Sequence, residues 1–127
     1  MPPRESREPI EADRYLPLKP VAFQVLLSLS EGERHGYGIT QDIAARTSAK
    51  MRLEPGNLYR SLKTMLDDRL IEESEKRPAP DLDDERRRYY RITPLGRKVA
   101  LAEMARLEAM VAEARTMMGA RTRRART

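Results

Sequence analysis

Six polar residues crowd onto one short stretch of this 127-residue chain: Asn57, Tyr59, Arg60, Ser61, Lys63 and Thr64 follow directly on Pro55-Gly56. Amide, phenol, guanidinium, hydroxyl and ammonium groups at this density suit the phosphates and base edges of a nucleic acid. Among them Leu58, Leu62, Leu66 and Leu70 recur at i, i+4 spacing, which gives a helix one apolar face and leaves the polar set on the other. Downstream, Arg86-Arg87-Arg88-Tyr89-Tyr90-Arg91-Ile92 is a basic, alternating run, as expected for the second strand of a hairpin. Together they predict a helix that enters a DNA groove beside a basic wing.

Other chemistry is poorly provided for. The chain has no cysteine and one histidine, so thiolate sites and disulfides are excluded and a transition-metal site lacks its ligands. No Ser-His-acid set forms without His35, and no glycine-rich phosphate loop is present. His35, beside Gly36, is read as a structural turn residue. Pairs such as Asp67-Asp68 and Asp83-Asp84 are read as solvated acids. The expectation is a protein that is not an enzyme and needs no cofactor or metal.

A chain of this length holds one domain and a helical extension. The formal charge of +5 comes from residues 115–127, which hold five arginines and no acid; the rest is neutral, so local patches matter more than net charge. No apolar run approaches the roughly 20 residues that span a bilayer, and the Arg-, Glu- and Pro-rich start does not resemble a signal peptide. A cytoplasmic protein without membrane contact is expected.

The elements that must position the polar stretch follow from spacing. Residues 1–17 read as an N-terminal extension. Residues 18–93 read as the DNA-binding domain: a helix from Leu18 to Ser30, closed by Glu31–Arg34; a second near Tyr37–Arg46 with Ile39, Ile43 and Ala44 inward; a third over Pro55–Arg69; and strands at Ile71–Lys76 and Arg87–Thr93. Thr93-Pro94 then opens a last helix, expected over 94–118 with a stop at Gly119 and a disordered Arg-rich tail, 119–127. In that helix Met104, Leu107, Val111, Ala114 and Met118 repeat at spacings of 3 and 4, a heptad seam. Either it packs back on the first helix or it joins a second copy, the favoured reading, placing two recognition helices roughly 34 Å apart on DNA. The fold class expected is mainly α with a small β-hairpin wing: a winged helix-turn-helix plus a long C-terminal dimerisation helix.

Three motifs in order, His35-Gly36-Tyr37-Gly38-Ile39, Pro55-Gly56-Asn57-Leu58-Tyr59-Arg60-Ser61-Leu62 and Arg88-Tyr89-Tyr90-Arg91-Ile92-Thr93-Pro94-Leu95-Gly96-Arg97, resemble the PadR family of transcriptional regulators, with similarity from about Leu18 to Val111. The resemblance implies a homodimeric regulator, mostly a repressor, on promoter DNA. It implies Asn57, Tyr59, Arg60 and Lys63 as contacts of the recognition helix, Lys76, Arg77, Arg86, Arg87 and Arg88 as the wing, and Tyr37 near the backbone. Family members commonly carry Ser or Thr where Glu54 stands, and the wing tip here holds Asp81, Asp83, Asp84 and Glu85. The absence of tryptophan argues against the sandwiching of flat aromatic drugs seen in some members. A Met- and Leu-lined dimer interface would still admit a small apolar effector, of unknown identity. The alternative is a winged-helix adaptor that binds protein without sequence-specific DNA contact, favoured by the neutral body and acidic tip. A nonspecific architectural protein held to DNA by its arginines is a third reading.

Overall fold

Pro20 opens helix α1 (Pro20–Ser30), which follows helical residues at 11–13, at a position where a missing N–H breaks no intrahelical bond. The computed structural model describes residues 11–51, 53–74 and 88–126, with side chains to Gly119. Val25, Leu26 and Leu29 are buried along α1. Gly32, at a φ of +148° open mainly to glycine, turns the chain into a two-residue strand, β1 (Arg34–His35). This strand was not expected from sequence; two residues are too short for an alternating pattern, and its partner supplies the register.

Helix α2 (Gly36–Arg46) buries Ile39 and Ile43, with Ala44 half-buried. Its turn into α3 (Pro55–Asp67) passes through Ser48 and Ala49, both with left-handed φ, at 53° and 63°. Such a conformation costs energy in a residue with a Cβ. Thr47 holds this turn, its hydroxyl donating to the Ile43 carbonyl at 2.8 Å and accepting from the Met51 N–H at 3.1 Å.

Strands β2 (Ile71–Glu73) and β3 (Tyr89–Ile92) complete an antiparallel sheet in the order β1-β3-β2. Tyr90 faces Arg34 on one side and Glu73 on the other, and it is buried while Tyr89 is half-buried. The core gathers Val25, Leu26, Ile39, Leu58, Leu62 and Val99 at the junction of the helices.

Thr93 fastens the last helix, α4 (Pro94–Arg126), to this body. Its hydroxyl lies 2.6 Å from the Arg69 carbonyl and 3.0 Å from that of Leu70, and it accepts from the Gly96 N–H at 2.9 Å. A Cβ on Gly96 would lie 2.0 Å from the Leu70 carbonyl oxygen, so only glycine allows this approach. Helix α4 runs through Gly119 to Arg126 instead of stopping there, about 50 Å at 1.5 Å per residue. The expected stop and disordered tail are corrected: a glycine ends a helix when it turns left-handed, Gly119 has no positive φ, and the Ala and Arg after it favour helix, with cations suited to its C-terminal end. Among the described residues no helix is long and apolar enough to cross a membrane.

Candidate nucleic-acid interface

Helix α3 separates its faces as the leucine spacing predicted, with one adjustment. Leu58, Leu62 and Met65 are buried while Leu66 is half-buried. A strict i+4 series drifts around a helix of 3.6 residues per turn, so by the fourth turn the inward position has passed to residue 65. Leu70 is buried too, but beyond the helix end. Asn57, Arg60, Lys63 and Thr64 are exposed on the other side. Arg60 donates to the Asn57 Oδ1 one turn back, and the Thr64 hydroxyl donates to the Arg60 carbonyl at 3.1 Å. The N-cap Glu54 makes no side-chain capping bond.

The start of α2 explains why glycine recurs in His35-Gly36-Tyr37-Gly38. His35 caps the helix, its Nδ1 accepting from the Gly38 N–H at 2.8 Å. A Cβ on Gly38 would come within 3.2 Å of the His35 ring, and one on Gly36 within 2.9 Å of the Tyr59 hydroxyl oxygen. His35 is thus structural in this fold, as a helix cap. Tyr59 is half-buried, lying over Gly36 and locking α3 to α2. Tyr37 is 59% exposed at the mouth of α2.

Two charged clusters stiffen the frame. Asp42 pairs with Arg46 at 2.8 Å and Arg34 at 3.6 Å, and Arg46 reaches Gln24 of α1 at 2.6 Å. Burial pushes the Asp42 carboxyl up, but the hydrogen bond from Arg46 and the charges of Arg46 and Arg34 outweigh it, and the net direction is down. On α4, Glu103 is 2% exposed and accepts from Arg106 at 2.6 and 2.9 Å. Arg106 lowers its pKa most, against the effect of burial, with help from the Leu18 backbone N–H. Glu103 is thus held as a buried carboxylate by Arg106, one turn further along the same helix. It was not among the residues expected from sequence, where its only signal is an acid three residues before an arginine.

The wing is only partly described. Lys76, Arg77, Arg86 and Arg87, and the acidic tip, lie outside the described residues. Arg88 stands at the foot of β3, 3.7 Å from Glu73. Arg91 is held by Glu72 at 2.8 Å and Glu33 at 3.8 Å. Of the ten residues expected to touch DNA, Asn57, Arg60 and Lys63 come together on one exposed face. Tyr37 stands at the neighbouring helix mouth, Tyr59 is turned toward the body, and Arg88 is across the sheet.

A cleft of about 790 Å³ runs beside α3, floored by Leu18, Val21 and Met65 and rimmed by Asn57, Arg60 and Thr64. The seam residues Met104, Val111, Ala114 and Met118 are exposed on α4, and Leu107 is half-buried.

A short helix with an exposed polar face, carried behind another helix and beside an antiparallel sheet, defines a winged-helix regulator. The sequence model of the transcriptional regulator PadR-like family matches residues 25–102, and the chain belongs to that family, which comprises transcriptional regulators and not enzymes. An uncharacterised protein of Lysinibacillus sphaericus is 33% identical over 89 residues, 70% of this chain and 78% of its own. A transcriptional regulator from Clostridium thermocellum superposes with a TM-score of 0.63 at 25% identity, over 76% of this chain and 87% of its own. A PadR-like regulator of Bacillus cereus has a TM-score of 0.63 at 20% identity, over 77% and 90%. RosR of H. salinarum has a TM-score of 0.56 at 20% identity, over 81% and 98%.

Proposed function

We propose that this regulator is a homodimeric repressor, working in the cytoplasm, that sets α3 in the major groove of promoter DNA. The observation that carries the reading is the outward face of α3, where Asn57, Arg60 and Lys63 stand exposed over a buried leucine stripe. The Asn57 contact orients Arg60 before any ligand arrives, and an oriented guanidinium loses less freedom on binding a guanine edge or a phosphate. Tyr37 serves the flanking backbone, and Tyr59 serves from behind by fixing the angle of α3. Arg88 and the wing residues Lys76, Arg77, Arg86 and Arg87 add phosphate contacts. Because carboxylates already hold Arg88 and Arg91, sequence reading falls to α3. The dimer uses Met104, Leu107, Val111, Ala114 and Met118. An effector seated in the cleft beside α3 would touch Asn57 and Arg60 and so act on DNA binding directly.

The test is a titration of the full chain into a labelled duplex from upstream of its own gene, against a shuffled duplex. Tighter binding to the native duplex is expected. Equal, weak binding to both speaks for the architectural reading or a distant operator, and none to either for the protein-binding adaptor.

A further inference from the structure

His35 is the chain's sole histidine, and the parts of the proposed DNA surface meet around it. Its backbone belongs to β1 and pairs with Tyr89 of β3, the residue after Arg88 at the foot of the wing. Its ring lies edge-on to the Tyr89 ring at 5.3 Å and stacked on that of Tyr37 at 6.4 Å. Its Nδ1 accepts from the Gly38 N–H at 2.8 Å, at the mouth of α2. The next residue, Gly36, lies under the Tyr59 side chain that locks α3 to α2.

This cap dictates the protonation state of the ring. A nitrogen that accepts a hydrogen bond carries no proton, so the neutral ring keeps its proton on Nε2. A second proton has only Nδ1 to join, the atom already bonded to Gly38. The imidazolium therefore cannot cap α2 in this way, and it sets a positive charge at a helix N-terminus, where the backbone dipole opposes it. The first turn of α2 holds no acid, and among the described residues His35 has no ion-pair partner. Arg34, beside it in β1, is turned to Asp42 and to the Ser28 carbonyl. From α2 and β3 the ring faces the phenols of Tyr37 and Tyr89, and Arg88 is held by Glu73. From α3, Tyr59 reaches Gly36.

We propose that His35 is a positioning residue for DNA binding that works only as the neutral imidazole, holding Tyr37 and the mouth of α2 toward the backbone until acid releases them. The inference rests on the DNA-binding reading and adds its dependence on pH. The sign of the effect sets it apart from simple charge. A new cation ordinarily tightens a protein on phosphates. Here the proton that brings the charge also removes an N-cap, worth about tenfold in an equilibrium constant, and frees the ring that Tyr37 stacks on. Acid should therefore loosen the complex.

A single imidazole makes the test direct. Nitrogen NMR of the full chain reads both ring nitrogens with no second histidine to confuse them. In neutral solution Nδ1 should be bare and Nε2 protonated, and the Gly38 amide signal should shift in step with the ring as acid is added. The opposite tautomer, or a Gly38 amide that ignores the ring, would overturn the cap. Operator affinity, measured at constant ionic strength on the labelled duplex from upstream of the gene, should fall about tenfold from about pH 7.5 to about pH 5. His35→Asn supplies a capping oxygen that takes no proton and should stay near the neutral wild-type affinity throughout. His35→Ala should bind in neutral solution as weakly as the wild type does in acid. A wild-type affinity that is flat or rises on acidification would overturn the positioning role, and an equal fall in His35→Asn would assign the effect to other groups. Binding to no duplex at any pH would remove the DNA reading and the positioning role with it, while the NMR titration would still decide the cap.

Discussion

The winged-helix body and the outer half of α4 are built on opposite terms. In the body, Leu26, Leu29, Ile39, Leu58 and Leu62 are at most 1% exposed, and glycines stand where helices meet most tightly. On α4 beyond Leu107 the apolar residues face outward. The body is stabilised by what it encloses, whereas the outer helix leaves its apolar side chains bare. The same amino-acid types thus do different work: a leucine in α3 holds the domain together, while a methionine or valine on the outer part of α4 adds nothing to that core.

The largest separation of the two should come from truncation. Leu62→Ala is expected to destabilise the body by about 2–5 kcal/mol, through reduced burial and the cavity left behind. Met110→Ala should change it by under about 0.5 kcal/mol. Chemical denaturation at a concentration where the chain is monomeric checks both. Equal losses would mean that the outer helix is packed in the monomer.

Next in size is the close approach of α2 and α3. Gly36→Ala should cost about 1–3 kcal/mol by crowding Tyr59 and weaken operator binding with it. Adding Tyr59→Phe removes the oxygen nearest the new methyl and should recover part of both. If the double variant regained stability but not affinity, Tyr59 would itself touch DNA.

Acid should act on the two carboxylates that arginines hold. Glu103 has a folded pKa below its ordinary 4.5, and Asp42 one below 3.8. Each therefore adds stability that is complete above its ordinary value and is lost as pH falls through the lowered one. Unfolding midpoints should decline below about pH 4.5, and Glu103→Gln should flatten that decline. An unchanged acid limb would mean that the Glu103–Arg106 pair adds no stability.

The smallest effect expected is at the mouth of α3. Glu54→Ser supplies the capping oxygen that the N-cap lacks and should add about 0.5–1 kcal/mol. It also removes an acid from the mouth of α3, so under the proposed docking of α3 DNA affinity should rise as well. Thermal unfolding and a binding titration separate the two gains.

Much of this was legible in the sequence because it lies in local patterns. The leucine stripe of α3, the Thr93-Pro94 cap and the alternation of Tyr89 and Tyr90 declare themselves within a few residues. What was not legible depends on distant partners. Strand β1 exists because β3 lies beside it. Glu103 is buried on a helix that packs against α1, far away in sequence. Tyr59, polar and adjacent to the exposed face of α3, turns inward because Gly36 leaves it room. The course of α4 past Gly119 is a subtler case, since glycine lowers helix propensity without dictating an end.

The most direct test is the salt dependence of operator binding for the wild type and for Arg60→Ala/Lys63→Ala. Wild-type affinity should fall steeply with salt as counterions return to the phosphates. The double variant should bind the operator more weakly, by about 1–3 kcal/mol for each base edge no longer read, with binding to shuffled DNA changed far less. Equal weakening on both duplexes would reduce the two residues to phosphate binders, and unchanged operator affinity would contradict the assignment of α3 as the reading helix.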